Sequence, residues 1–225
     1  MSELRLALKK TNRRLKEKDI LIVTSKIVSL AQNRVVTGSK EEWIHKEADH
    51  ILHRSNHGTI TIKDGILAMS AGIDKSNVKD GLLLYPKDLK QWTNNFYRKI
   101  KKEFTLQKIG IIITDSRSQP LRSGSNAVAC AHAGFEGVEF LRGKPDIFGK
   151  KLKHSRVNKA DMLANAAVVV MGESNEQTPF AVITDAPVTF TDKPRHPLKV
   201  NLRNDIYGKF LLAPPNKNVM KKSAK

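Results

Sequence analysis

The segment Asp19-Ile20-Leu21-Ile22-Val23-Thr24 is a short apolar run rich in β-branched residues. This pattern is typical of a strand that is buried on both faces. Thr24, Ser25 and Lys26 end the run, and apolar residues resume at Ile27, so another element is expected to begin there. Open α/β sheets bind ligands at the carboxyl ends of their strands. We therefore predict a binding site at Thr24, Ser25 and Lys26.

A second buried strand is predicted over Ile109–Thr114, followed by a long polar loop over residues 115–124. An aspartate at the end of a strand, here Asp115, is well placed to hold a divalent metal. Arg117 and Arg122 carry planar guanidinium groups that suit phosphate or carboxylate groups. A turn-forming aspartate beside arginines paired on the surface explains the same pattern, so both interpretations stay open.

The rest of the chain alternates helix and strand patterns, which favours a mixed α/β or α+β fold. A loop of small and polar residues, Ser70–Asn77, is composed so that its backbone could approach a ligand closely. One domain is expected over residues 1–212, with up to two subdomains, followed by a basic, disordered tail over residues 213–225. Helices are predicted over 3–16, 41–54, 160–170 and beyond Asp88, and strands over 59–62, 66–69 and 180–184.

The predicted helix over 41–54 carries histidines, and with His57 they are spaced three and four residues apart: His50, His53 and His57. These side chains would share one face and could bind a metal if the helix continued past Ser55. Asn56 and Gly58 argue against that continuation. A solvated helical face is therefore the favoured interpretation.

The chain has 225 residues and a net charge of +18, from 40 Lys and Arg against 22 Asp and Glu. This charge attracts polyanions or small anionic substrates, although a generally basic surface explains it equally well. No apolar run approaches the ~20 residues of a membrane-spanning helix. The single cysteine, Cys130, lies in a small apolar run and is predicted to be a buried packing residue. A cytoplasmic protein is expected.

Six segments occur in an order that is specific when they are taken together. They are Ile22-Val23-Thr24-Ser25-Lys26-Ile27-Val28-Ser29, Ser70-Ala71-Gly72-Ile73-Asp74-Lys75-Ser76-Asn77, Ile113-Thr114-Asp115-Ser116 through Pro120 and Arg122, Arg142-Gly143 with Asp146-Ile147-Phe148-Gly149, Ala160-Asp161, and Val170-Met171-Gly172-Glu173. This series resembles the coenzyme F420-0:γ-glutamyl ligase family, over about residues 18 to 187 of the chain.

The resemblance implies a ligase that uses GTP and Mg²⁺ or Mn²⁺ to join L-glutamate to coenzyme F420-0 through an acyl phosphate. It implies that Asp115 is catalytic and binds metal. It also implies nucleotide contacts from the first segment and substrate contacts from the second and third. The residues concerned are Thr24, Ser25 and Lys26 for nucleotide, and Asp74, Ser76, Asn77, Arg117 and Arg122 for substrate.

Further metal ligands are expected at Asp146 and Ser155. Many members of the family that the chain resembles carry a threonine and then an acidic ligand where this chain has Ser155-Arg156. Asp161 is interpreted as a residue that caps a helix.

Two other functions are considered beside this one. Some family members are thought to glutamylate folates, so folate is the alternative acceptor. A protein of another class, which keeps the fold without catalysis and binds nucleic acid or another polyanion, would also account for the charge. The resemblance further implies an intertwined homodimer with a two-part α+β architecture.

Overall fold

The computed structural model describes residues 1–56 and 58–213. Its helices are α1 (Ser2–Lys10), α2 (Ser25–Ala31), α3 (Lys40–Glu47), α4 (Leu89–Phe104), α5 (Lys159–Met171) and α6 (Gly208–Leu212). Its strands are β1 (Ile20–Thr24), β2 (Val35–Val36), β3 (His50–Ser55), β4 (Gly58–Lys63), β5 (Ile66–Met69), β6 (Leu82–Leu83), β7 (Gly110–Ser118), β8 (Ser125–Ala133), β9 (Val138–Phe140), β10 (Arg156–Asn158) and β11 (Phe180–Ile183). The predicted mixed α/β fold is confirmed. The predicted tail lies outside the described residues, apart from Ala213.

A four-stranded sheet in the order β11-β1-β7-β8 forms the centre of the protein. β1 and β7 run parallel, in a register that pairs Ile20 with Gly110 and Thr24 with Thr114. β11 and β8 are antiparallel to their neighbours. Because β1 and β7 are parallel, their carboxyl ends lie side by side at one edge of the sheet.

The central strands are apolar where helices cover both faces of the sheet, over Ile20–Val23 of β1 and Ile111–Ile113 of β7. Leu21 and Ile111 belong to the core on the face covered by α4, whereas Ile22 and Ile112 belong to the core on the face covered by α5. The predicted spacing of α4 is confirmed, since Leu89, Phe96 and Ile100 are buried and Trp92 packs against the same core. Cys130 is buried in the α4-side core, as predicted.

Helix α5 protects the outer edge of β8, which has no strand partner among the described residues. The Asn165 side chain accepts a hydrogen bond from Ala127 N at 3.0 Å and donates one to Ala127 O at 2.8 Å. One turn earlier, Asp161 accepts from Ala129 N at 2.8 Å. These side chains satisfy backbone groups that would otherwise offer a template for pairing with another chain.

Three smaller sheets surround the central one: β3-β4-β5, β2-β6 and β9-β10. The predicted hairpin is confirmed as β4 and β5. The predicted helix over 41–54 is wrong beyond Glu47, because the chain turns and pairs with β4 as β3. His50 and His53 therefore lie on an exposed strand, and His57 lies outside the described residues.

Helix α1 is shorter than the predicted span of 3–16. It ends at Lys10, and Asn12 adopts a left-handed conformation with φ of 49°. Leu15 is nevertheless buried. Its spacing from Leu4 and Leu8 fits a helix, which explains why the predicted helix was too long. Within residues 1–56 and 58–213, no helix has the length and apolar character needed to cross a membrane.

Candidate active site

The candidate site lies where β1 and β7 end at the same edge of the sheet. β7 continues to Ser118, so the predicted polar loop begins later than expected, and Asp115–Ser118 pair with β8. A register shift between Ile113 and Thr114 marks the point where β7 passes the end of β1. Beyond Thr114, the edge of β7 that faces β1 is left unpaired within the described sheet, which opens space for a ligand.

This space is a cavity of about 450 Å³, within the usual size range of small-molecule sites. Four of the predicted site residues line this cavity: Thr24, Lys26, Asn77 and Asp115. Ser25 and Asp74 line a much smaller adjoining space, together with Lys26 and Asp115. The structure therefore brings together segments that are far apart in sequence.

Asp115 is half-buried and bonded to the first residue of α2. The Ser25 hydroxyl donates a hydrogen bond to Asp115 Oδ1 at 2.9 Å. Burial raises the pKa of Asp115 to about 6, against the opposing effects of the Ser25 hydrogen bond and the positive charge of Lys26. A positive ligand at the cavity would therefore favour the ionised carboxylate.

Lys26 and Asp74 form an ion pair that links α2 to the loop over 70–77. Asp74 Oδ1 also accepts hydrogen bonds from Ser76 N and Ser76 Oγ, both at 2.7 Å. Burial opposes ionisation of Asp74, yet the Lys26 and Ser76 hydrogen bonds hold the pKa of its carboxyl below the usual value. The predicted nucleotide and substrate contacts are thus in direct contact with each other.

The backbone between β5 and Asp74 bends sharply to reach this position. Ser70 and Ala71 adopt left-handed conformations, and Gly72 follows with φ of 68°. A Cβ atom at Gly72 would lie 2.8 Å from the ring of Tyr85, so glycine is required both by conformation and by space. This bend explains why small residues occupy the segment.

The segment after α5 forms the opposite wall of the cavity. Gly172 ends α5 with φ of 76°, and Glu173 accepts hydrogen bonds from Ser116 Oγ at 2.6 and 2.5 Å. Asn77 Nδ2 donates to Ser174 O at 3.2 Å across the cavity. Sequence reasoning interpreted Glu173 only as part of a helix end. The sequence feature that could have identified Glu173 as a site residue is its place directly after Gly172, which ends a helix.

The predicted arginines take different positions. Arg117 faces a second cavity, and its Nη2 lies 3.9 Å from Asp161 Oδ2. Arg122 lies in the exposed turn after β7 and lines neither cavity. Asp161 does not cap α5, because the Asn158 side chain does so by accepting from Asp161 N at 3.1 Å.

The two further metal-ligand candidates are not brought to this cavity within the described chain. Asp146 Oδ1 accepts from Phe148 N at 2.9 Å and from Lys150 N at 2.8 Å, so its carboxylate stabilises a turn. Ser155 precedes β10, and its carbonyl accepts from Leu141 N at 3.0 Å. Within the described residues, no group of three His, Cys, Asp or Glu side chains is arranged to hold a metal ion.

Comparisons with known proteins identify the family of this chain. Residues 39–185 match the model of the F420-0:gamma-glutamyl ligase family. A coenzyme F420:L-glutamate ligase from Methanococcus maripaludis strain C7 is 33% identical over 199 residues, which cover 79% of this chain and 80% of the relative. Proteins with the same description from Methanocaldococcus jannaschii and Methanothermobacter thermautotrophicus are 31% and 34% identical, covering 77% and 75% of this chain and 70% and 64% of the relatives.

These comparisons define the class of protein as a ligase that forms amide bonds. The predicted enzyme class is thereby confirmed. The chain belongs to the F420-0:gamma-glutamyl ligase family.

Proposed function

We propose that the protein uses GTP and a divalent metal to join L-glutamate to coenzyme F420-0 at the cavity between β1 and β7. The observation that carries this proposal is the Ser25–Asp115 hydrogen bond, which places a half-buried carboxylate at the carboxyl ends of two parallel strands. Lys26 lines the same cavity and provides positive charge. The names of the relatives support the choice of glutamate and coenzyme F420-0.

The chemistry follows from the stability of a carboxylate. An unactivated carboxylate does not form an amide in water, so an acceptor oxygen first attacks the γ-phosphorus of GTP and GDP leaves. The glutamate amine then attacks the acyl carbon, loses a proton, and displaces inorganic phosphate as the carbon–oxygen bond breaks. Both steps develop negative charge on phosphate oxygens, which cationic groups stabilise.

The oxygen donors around Asp115 suit a hard divalent cation. Mg²⁺ prefers oxygen ligands and is commonly bound through one or two carboxylates together with substrate phosphates. Asp115 lines the cavity and supplies one such carboxylate, whereas Glu173 lies on the opposite wall and is bonded to Ser116. The metal, when bound, supplies positive charge beside the transferred phosphate. Ser25 keeps the Asp115 carboxylate oriented, and we propose Asp115 as the main protein ligand.

The remaining contacts are proposed from the resemblance to the family, and Thr24, Lys26 and Asn77 among them also line the cavity. We propose that Thr24, Ser25 and Lys26 contact the nucleotide, since they lie at the carboxyl end of β1. Asp74, Ser76 and Asn77 are proposed to contact substrate, and Asp74 also holds Lys26 in position. Arg117 and Arg122 remain proposed contacts for anionic groups of the acceptor.

A homodimer is part of the proposal. The loop that contains Asp146 exposes two large apolar side chains, Ile147 and Phe148, whose exposed fractions are 91% and 87%. Adjacent exposed apolar side chains form a patch, and such patches can mark protein–protein interaction sites. A second copy is proposed to cover them, and Asp146 and Ser155 are retained as metal ligands only in that assembly. Light scattering coupled to size-exclusion chromatography would measure the mass.

The function is tested by incubating purified protein with L-glutamate, Mg²⁺ or Mn²⁺, and either coenzyme F420-0 or folate. GTP and ATP are compared in parallel, and the masses of the products are measured. We expect coenzyme F420-0 to gain one or more glutamyl units with GTP. If folate is glutamylated and coenzyme F420-0 is not, folate is the acceptor. Glutamylation of neither acceptor would contradict the proposal.

A further inference from the structure

A second cavity of about 700 Å³ opens beside the first one. Its walls are largely apolar and come from the β4–β5 hairpin, from β8 and from the chain after residue 197. They include Ile66, Leu67, Val128 and Leu198. Tyr207 and Phe210 flank it with aromatic rings that are 64% and 79% exposed. Exposed aromatic side chains around an apolar cavity suit a flat ring system.

Two cations line this cavity, Arg117 and Lys199. Lys199 is exposed, whereas Arg117 is partly buried and its hydrogen-bonding capacity is only partly used. Its Nε atom is buried and has no acceptor among the described residues. Its separation of 3.9 Å from Asp161 makes that ion pair a long one. The Asp161 carboxylate already accepts from Ala129 N and Asn158 Nδ2 at 2.8 and 2.9 Å.

Buried polar groups without partners are rare in folded proteins, because each costs free energy. The fork-shaped guanidinium binds carboxylate and phosphate groups with two parallel hydrogen bonds. Arg117 therefore offers a place for an anion in the wall of a largely apolar cavity.

Strand β7 contributes residues to both cavities. Asp115 lines the first cavity and Arg117 lines the second, and only Ser116 separates them on β7. Side chains two positions apart on a strand point to the same face and lie about 7 Å apart. A molecule held at Arg117 can therefore extend one end to Asp115 while its other end lies between the apolar walls.

We propose that the second cavity binds the ring system of the acceptor, and that Arg117 binds an anionic group on the chain that connects this ring to the reacting carboxylate. This inference rests on the proposed ligase function and adds the location and chemistry of acceptor binding. The ligand is a flat heteroaromatic ring carrying an anionic chain that ends in a carboxylate. Arg117 is a positioning residue, because the reacting atoms lie at Asp115.

Equilibrium dialysis of coenzyme F420-0 against the wild type and variants would test the proposal, with folate as a second probe. Arg117→Gln removes the guanidinium charge, and Phe210→Ala removes an exposed aromatic wall without opening the core. Arg98→Gln is the matched control, since Arg98 lies on the outer surface of α4 and lines neither cavity. GTP affinity is measured for each protein, and circular dichroism checks folding.

Arg117→Gln should weaken acceptor binding by about 10- to 100-fold, the range expected for loss of a charged hydrogen bond. Phe210→Ala should weaken it by about 5-fold. Arg98→Gln should leave it unchanged, and GTP affinity should stay constant in all variants. In catalysis, Arg117→Gln should raise KM for the acceptor more than it lowers kcat.

Acceptor binding by folded Arg117→Gln within about twofold of the wild type would overturn the inference. If that variant fails to fold, unchanged binding by Phe210→Ala would overturn it instead. The wild type could make glutamylated product while both variants bind the acceptor normally. That result would support the ligase function and contradict only the assignment of the second cavity to the acceptor. A wild type that neither binds nor glutamylates either acceptor contradicts both proposals.

Discussion

Ser25 donates a 2.9 Å hydrogen bond to Oδ1 of Asp115, which lies 90 residues further along the chain. The parallel pairing of β1 with β7 places these two residues side by side, because Thr24 pairs with Thr114 directly before them. Ser25 is buried, so its hydroxyl is held close to the carboxylate. The sheet register therefore builds the centre of the proposed site.

Removing the Ser25 hydroxyl should weaken metal binding without unfolding the protein. Ser25→Ala leaves Asp115 without the partner that orients it, and loss of such a partner commonly costs about 10-fold or more in metal affinity. Titration with Mn²⁺, followed by electron paramagnetic resonance, would measure the change. Ser39→Ala is the control, since the Ser39 side chain makes no capping hydrogen bond before α3. Equal Mn²⁺ affinity in both variants would contradict the assigned role.

The Lys26–Asp74 ion pair should stabilise the loop over 70–77. Both side chains are about one-third exposed, so we expect a coupling energy of about 1 kcal/mol in a double-mutant cycle. The cycle uses Lys26→Met and Asp74→Asn, and urea unfolding gives each free energy. A parallel cycle on the exposed pair Arg5–Glu103 should show a smaller coupling. Additive effects of Lys26→Met and Asp74→Asn would show that the pair contributes nothing.

Asn165→Ala should lower the free energy of unfolding by about 2 kcal/mol. The variant leaves both Ala127 N and Ala127 O without the side-chain partner that bonds them, and Ala127 is buried at 1% exposure. Met162→Ala on the same helix is the control, since Met162 is 61% exposed and its truncation should have little effect. Urea unfolding of the two variants would compare them. Equal stability would show that this edge of β8 needs no protection.

His132 should make the protein less stable in mild acid. Burial lowers the pKa of His132 to about 4, despite the opposing effect of Glu136. The folded state therefore resists protonation, and stability falls as the pH drops from about 6.5, the unfolded value, towards 4. His132→Gln removes this dependence, so the stability of the variant relative to the wild type should rise by about 3 kcal/mol between pH 7 and pH 4. A stability difference that stays constant with pH would contradict this account.

Local patterns predicted the central part of the fold. The apolar runs of β1 and β7 and the helical spacing of α4 each depend on burial that the sequence displays directly. The predicted helix over 41–54 was wrong because pairing of β3 with β4 is a long-range contact that overrides local helical spacing. The extension of β7 to Ser118 was missed for the same reason, since polar residues there pair with β8.

The sequence also predicted the two halves of the site but not how they are joined. Thr24, Ser25 and Asp115 stand out because polar residues directly follow buried strands. The Lys26–Asp74 and Ser116–Glu173 contacts link distant segments, and no local pattern marks such pairs. Arg117 and Arg122 looked equivalent in sequence. Only the continuation of β7 separates a side chain that faces a cavity from one in an exposed turn.

The most direct test of the account follows oxygen from acceptor to phosphate. Coenzyme F420-0 labelled with ¹⁸O in its reacting carboxylate is incubated with GTP, Mg²⁺ and L-glutamate, and the phosphate released is analysed by mass spectrometry. The acyl-phosphate route requires one labelled oxygen in that phosphate for each amide formed.

The wild type and Asp185→Asn should both transfer the label, since Asp185 lies near the opposite end of the sheet, where Ile183 pairs with Ile20. Asp115→Asn should lower the rate by at least about 100-fold. Amide formation with unlabelled phosphate, or full activity in Asp115→Asn, would contradict the account.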